Sequence, residues 1–122
     1  MQWKLDNAAP IYAQLVDQLK MRIVTGVYPM GSRMPAVREL AMEAGVNPNT
    51  MQRALQELER QGLVYSQRTS GRFVTEDSDA VLGEKEKLAG AYVNTFLAQM
   101  SMLGFGQKEI LDMLRREEFE RI

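Results

Sequence analysis

The sequence predicts a mainly α protein: a winged helix-turn-helix, made of three helices plus a β-hairpin wing, followed by a two-helix C-terminal tail. Three observations predict it. Pro35, Val37, Leu40, Ala41, Gly45, Val46, Met51, Leu55 and Leu58 fall at the spacing of two helices joined by a tight turn. Two short β-prone runs follow the second of these helices directly, on either side of residues 68–71. A long apolar periodicity then resumes beyond the acidic break at residues 76–79.

Ala9-Pro10 opens the first helix, in which Ile11, Leu15, Val16, Leu19 and Ile23 share one side while Gln14, Asp17, Gln18 and Arg22 take the other. It ends near Gly26, and Val27-Tyr28-Pro29-Met30-Gly31 reads as a turn-rich connector with room for a short extended segment. The second helix covers residues 36–44, turning Val37, Leu40, Ala41 and Ala44 inward and leaving Arg38 exposed near its start. Ala41 is small where the helices cross, Gly45 supplies a left-handed turn residue, and Val46 and Met51 fill the angle between them. Asn47 is a good N-cap, and Pro48 sits at the first helical position, where its missing N–H costs nothing. The third helix therefore runs from Pro48 to about Gln61, and Gly62 stops it.

The wing strands are Leu63-Val64-Tyr65-Ser66-Gln67 and Arg72-Phe73-Val74-Thr75, turned by Arg68-Thr69-Ser70-Gly71. Past the acidic segment, which can also cap the next helix, Leu88, Tyr92, Phe96, Met100 and Leu103 recur with Val93 and Leu97 at helical spacing. That helix extends from Val81 or Leu82 to about Leu103. Gly104-Phe105-Gly106 interrupts it, and Ile110, Leu111, Met113 and Leu114 mark a shorter helix from Gln107 to about Glu117. Residues 1–76 are thus expected to form a winged helix-turn-helix DNA-binding domain, and residues 77–122 a helical dimerisation tail.

Composition narrows the function. The chain contains no cysteine and no histidine, which excludes thiolate chemistry, the serine-histidine triad and the commonest transition-metal ligands. An enzyme is not expected, nor is a cofactor or a metal. The acidic Glu117-Glu118-Phe119-Glu120 run reads as a solvated helix end, since oxygen-ligand loops need a defined glycine turn. The start of the chain lacks a signal-like apolar run and no window reaches the length of a membrane span, so the cytoplasm is the expected compartment. Net charge is −1, but residues 1–76 hold nine Lys or Arg against seven Asp or Glu, and residues 77–122 six against nine. Nucleic acid contact is therefore expected in the first part.

A helix-turn-helix places its second helix in the DNA major groove, with a wing able to reach the duplex alongside. Arg38 and Arg53 bracket this motif, Arg68 and Arg72 lie in its wing, and all four are candidate phosphate anchors. Asn49 and Gln52 can read adenine edges through bidentate hydrogen bonds, while Thr50 either contacts DNA or bonds the cap of its own helix. Met51, Leu55 and Leu58 belong to the core. The tail cannot bury all its apolar surface within two helices, so Leu88, Tyr92, Phe96, Met100, Leu103, Ile110, Met113 and Leu114 are expected to face a second copy of the chain. Met42, Met100, Met102 and Met113 are read as helix packing or dimer seam. Core or dimer contact is preferred over an effector pocket for Tyr92 and Phe96.

Pro10-Ile11-Tyr12-Ala13-Gln14-Leu15, Gly26, Gly31, Met34-Pro35-Ala36-Val37-Arg38-Glu39-Leu40-Ala41 and Val46-Asn47-Pro48-Asn49-Thr50-Met51 together resemble the GntR family of bacterial transcription regulators. The short tail and the Asn-Pro-Asn-Thr segment are similar to its YtrA-like subfamily. The resemblance implies that Arg38 contacts DNA, that Asn47, Pro48, Asn49, Thr50, Gln52 and Arg53 supply most contacts from the recognition helix, and that Thr69, Ser70, Gly71 and Arg72 form the wing turn. It also implies a neighbouring transporter operon as the regulated target. Two positions depart from the family: Ala36 stands where serine is frequent, and Pro48 where many members carry arginine. The expected function is a sequence-specific repressor that binds an inverted-repeat operator as a homodimer, engaging major grooves about one helical turn apart. The alternative is a winged-helix protein-protein interaction module that does not bind DNA. No residue set identifies a small-molecule effector.

Overall fold

The computed structural model describes the backbone of residues 1–121 and the side chains of residues 1–116. The elements run α1 (Ile11–Val24), α2 (Val37–Ala44), α3 (Pro48–Arg60), β1 (Val64–Gln67), β2 (Gly71–Val74), α4 (Ser78–Met102) and α5 (Gln107–Arg121). The expected mainly α winged helix-turn-helix with a two-helix tail is what the chain forms. It divides into two compact units, residues 1–85 and 86–122.

The core of the first unit is built from the apolar faces of all three helices and the wing. Leu15, Leu19 and Ile23 of α1, Leu40 of α2, and Met51, Leu55 and Leu58 of α3 are buried together with Leu63 and Val74. Removing such side chains from water is the main stabilising term of a unit this small. Ahead of α1, the backbone at Lys4 and Asp6 is held by side-chain amides: Gln18 bonds Lys4 through both its oxygen and its nitrogen, and Gln14 does the same for Asp6. This lays Trp3 and Leu5 against the core. Arg22 is buried there, its guanidinium 3.8 Å from the centre of the Trp3 ring and donating to the Met1 carbonyl at 3.0 Å.

The wing pairs in antiparallel register, Val64 with Val74 and Gln67 with Gly71, and Tyr65 stacks on Phe73 at 5.7 Å between ring centres. The extended segment expected in the connector forms one step later, against β2. Arg33 bridges Phe73, the Met34 amide donates to Arg72 O at 2.8 Å, and the Val74 amide to Ser32 O at 2.9 Å. These bonds tie the entrance of α2 to the wing.

α4 begins at Ser78, earlier than apolar periodicity alone places it, because the Asp77 carboxylate accepts from the amides of Asp79 and Ala80 and so caps the first turn. Its opening turns belong to the first unit: Val81 packs on the core and Glu84 pairs with Lys20 at 3.0 Å. In the second unit, α4 and α5 form a helical hairpin. The turn is closed by the amides of Gly104 and Phe105 bonding Ser101 O and Met100 O, and Glu109 reaches back to the Gly106 amide at 3.0 Å. Within the described residues Ile110 is the buried member of this hairpin. The run Glu117-Glu118-Phe119-Glu120 lies outside the described side chains.

Candidate nucleic-acid interface

The turn between α2 and α3 is held by a complete set of cap bonds. Gly45 adopts φ 70°, ψ 37°, its amide donates to Met42 O and the Val46 amide to Ala41 O. This is the paired geometry that closes a helix on a left-handed residue, and Val46 packs on the core beside it. Two residues later the Asn47 side chain accepts from the Asn49 amide at 2.7 Å, with Pro48 at the first helical position. The Thr50 hydroxyl takes no part in that cap; its backbone amide bonds Asn47 O at 3.0 Å. α2 has no side-chain cap at Ala36, in keeping with a missing serine there.

Because α3 buries Met51, Ala54, Leu55 and Leu58, its first turn presents Asn47, Pro48 and Asn49 to solvent, with Thr50 and Gln52 half-exposed. Arg38 is exposed on the second residue of α2, and Arg68 is exposed in the turn of the wing with Thr69. Neither arginine has a partner among the described residues, so both charges face water. Ser70 is half-buried, its amide bonded to Gln67 O at 3.2 Å.

The other two candidate arginines are engaged within the protein. Arg53 lies over the Tyr12 ring of α1 at 4.9 Å, and Tyr12 in turn donates to Glu57. Arg72 donates through Nε to Glu59 Oε1 at 2.5 Å and through Nη1 to Gln52 Oε1 at 3.1 Å, while the Ser66 hydroxyl donates to the same Glu59 oxygen. Burial raises the Glu59 pKa, but the hydrogen bonds from Ser66 and Arg72 outweigh it and hold the carboxyl below its usual value. A brace thus runs from the wing to the recognition helix through residues of both.

Sequence reasoning missed three participants. Glu59 is two helical turns from Gln52 and so shares its face of α3, a periodicity that marks it in hindsight. Tyr12 carries no such signal. Arg33 is exposed, and its guanidinium lies where a side chain at Gly71 would begin, 3.2 Å from the position a Cβ would take. Gly71, at φ 99°, both turns the wing and leaves room for that arginine.

Residues 11–74 match the family model for bacterial regulatory proteins of the gntR family. The chain belongs to the GntR family. It is 37% identical over 112 residues to the uncharacterised regulator YhcF of Bacillus subtilis, covering 92% of this chain and 93% of that protein. It is also 37% identical to the transcriptional repressor YtrA of the same organism, over 64% of this chain and 60% of YtrA. Among solved structures, a GntR family regulator from Listeria monocytogenes superposes with a TM-score of 0.84 at 36% identity, covering 92% of this chain and 98% of that one. The AraR DNA-binding domain, crystallised in complex with operator ORX1, aligns with a TM-score of 0.53 at 32% identity over 62% of this chain and 92% of its own. This GntR chain is therefore a transcriptional regulator with a DNA-binding domain, and not an enzyme. No helix among its described residues is long and apolar enough to cross a membrane.

Proposed function

We propose that this GntR regulator is a cytoplasmic repressor that occupies an inverted-repeat operator as a homodimer. The observation that carries the DNA reading is the exposed first turn of α3 together with exposed Arg38 at the start of α2 and exposed Arg68 in the wing turn, neither of which has a partner among the described residues. Two unpaired guanidinium groups, on the helix before the recognition helix and in the wing after it, suit phosphate contacts beside a major groove. Arg38, Arg68 and the wing turn of Thr69, Ser70 and Gly71 anchor the backbone. Asn47, Pro48, Asn49, Thr50 and Gln52 face the bases, with Arg53 at the rim. The operator complex of AraR and the repressor activity named for YtrA support the same reading.

The homodimer rests on the tail. Tyr92 and Leu103 are 60% and 72% exposed, and Phe96, Leu97, Leu111 and Leu114 line an open apolar groove of about 890 Å³ between α4 and α5. Apolar surface on that scale is the mark of an interface, and a second copy supplies a second recognition helix for a second half-site. Of residues 77–122, the part beyond Lys85 is accordingly assigned to dimerisation, since the opening turns of α4 pack with the first unit.

The test is selection of bound duplexes from a random pool, followed by titration at several salt concentrations. We expect an inverted repeat, with affinity falling steeply as salt rises. Arg38→Ala should weaken binding to every sequence alike and reduce the salt slope by about one. Unchanged affinity in that variant removes Arg38 from the interface; absence of duplex binding by the wild type refutes the function.

A further inference from the structure

The brace between wing and recognition helix has a consequence for which base is read. A guanidinium carries only donors, so Arg72 Nη1 at 3.1 Å commits Gln52 Oε1 as its acceptor and thereby sets the orientation of the whole side-chain amide. Gln52 Nε2 has no partner among the described residues, and the side chain is half-exposed on the face of α3 that leads toward its free first turn. Arg72 itself is held from behind by Glu59, whose Oε1 also accepts from Ser66.

Bidentate reading of adenine by glutamine needs both ends of the amide, the oxygen accepting from the base amino group and the nitrogen donating to N7. With its oxygen drawn toward Arg72, Gln52 offers the groove a donor. Guanine presents two acceptors there, O6 and N7, and no donor. We propose that Gln52 reads guanine as a donor-only amide, and that Arg72 is the positioning residue that makes it so, clamped by Glu59. The proposal rests on the DNA-binding reading above. It assigns Arg72 an indirect part in base choice in place of a phosphate contact, since its charge is already met by a carboxylate inside the protein.

The experiment uses the full chain. Wild type, Gln52→Ala, Arg72→Ala and Glu59→Gln are each used to select duplexes from a random pool. Each is then titrated at several salt concentrations against the selected operator and against operators with guanine exchanged for adenine in each half-site. The wild type should prefer guanine at one position per half-site, and Gln52→Ala should erase that preference. Arg72→Ala should move the preference toward adenine by about tenfold, with the salt slope unchanged, because it removes the donor that fixes the amide; Glu59→Gln loosens the clamp but keeps Arg72 beside Gln52, and should move it the same way by less. Circular dichroism melts on the same samples report whether the wing remains folded, and Glu59→Gln keeps every wing side chain in place.

A direct phosphate contact by Arg72 predicts the opposite pattern. Arg72→Ala then weakens all sequences equally and lowers the salt slope by about one, while Glu59→Gln frees the guanidinium and tightens binding. That result overturns the proposal, as does a guanine preference unmoved in both variants. Wild-type protein that binds no duplex overturns the DNA reading and this assignment together, which separates the two failures.

Discussion

Gly45 sits at φ 70°, and beyond its own chain neighbours no atom lies within 4 Å of where its Cβ would be, so the restriction on this position is one of backbone conformation. Gly45→Val should cost about 1–2 kcal/mol, the usual penalty for a left-handed L-residue, and Gly45→Asn less. Urea denaturation of the two variants checks the order. Glu57 gives a pH-dependent counterpart. Hydrogen bonds from Arg60 and then Gln61 lower its pKa from 4.5 to about 2, against a smaller upward push from burial. A folded-state value below the unfolded one means stabilisation that is complete above pH 4.5 and lost as pH falls toward 2. Thermal melts across that window should therefore decline less steeply for Glu57→Gln than for the wild type.

At the scale of elements, α3 combines three roles: its cap orders the helix-turn-helix, its buried stripe anchors the core, and its outer face joins the wing. Asn47→Ala removes the acceptor for the Asn49 amide and should cost about 1 kcal/mol, read as a lower denaturation midpoint. Leu55→Ala, at 1% exposure, should cost about 2–5 kcal/mol, because the cavity adds to the lost burial. The pairing of residues 32–34 with β2 explains why the wing is not a free hairpin: it is attached on one side to the entrance of α2 and on the other, through Arg72 and Glu59, to α3. A two-stranded hairpin alone is marginal in water, so these attachments are what hold its turn in one place.

At the scale of the whole molecule, the tail is where exposed apolar side chains gather. No residue of α4 is buried, although the helix carries Leu82, Tyr92, Val93, Phe96 and Leu97 among its exposed side chains. Phe96→Asp should convert the proposed dimer to single chains in sedimentation velocity. It should leave the helical signal of the first unit intact and weaken binding to an inverted repeat far more than to one half-site. Met42 and Met102, expected to pack against helices or a seam, are 83% and 88% exposed, and the described residues place nothing over them.

How much was legible follows from the range over which each signal acts. Helix periods, the Gly45 turn, the Asn47-Pro48 start and the Gly104 break are local, each set by a few neighbouring residues, and the sequence by itself determined them along with the fold class and the family. The apolar stripe of the tail announced itself in the same way. The fates of the arginines were not local. Arg38, Arg53, Arg68 and Arg72 look alike in sequence, and only tertiary structure decided that Arg53 meets Tyr12 and Arg72 meets Glu59 and Gln52, while Arg38 and Arg68 stay in water. The partners of Arg53 and Arg72 include residues 41 and 20 positions away, brought near by packing of the core. A long charged side chain takes its role from what the fold sets beside it, and that is a property of the assembled core.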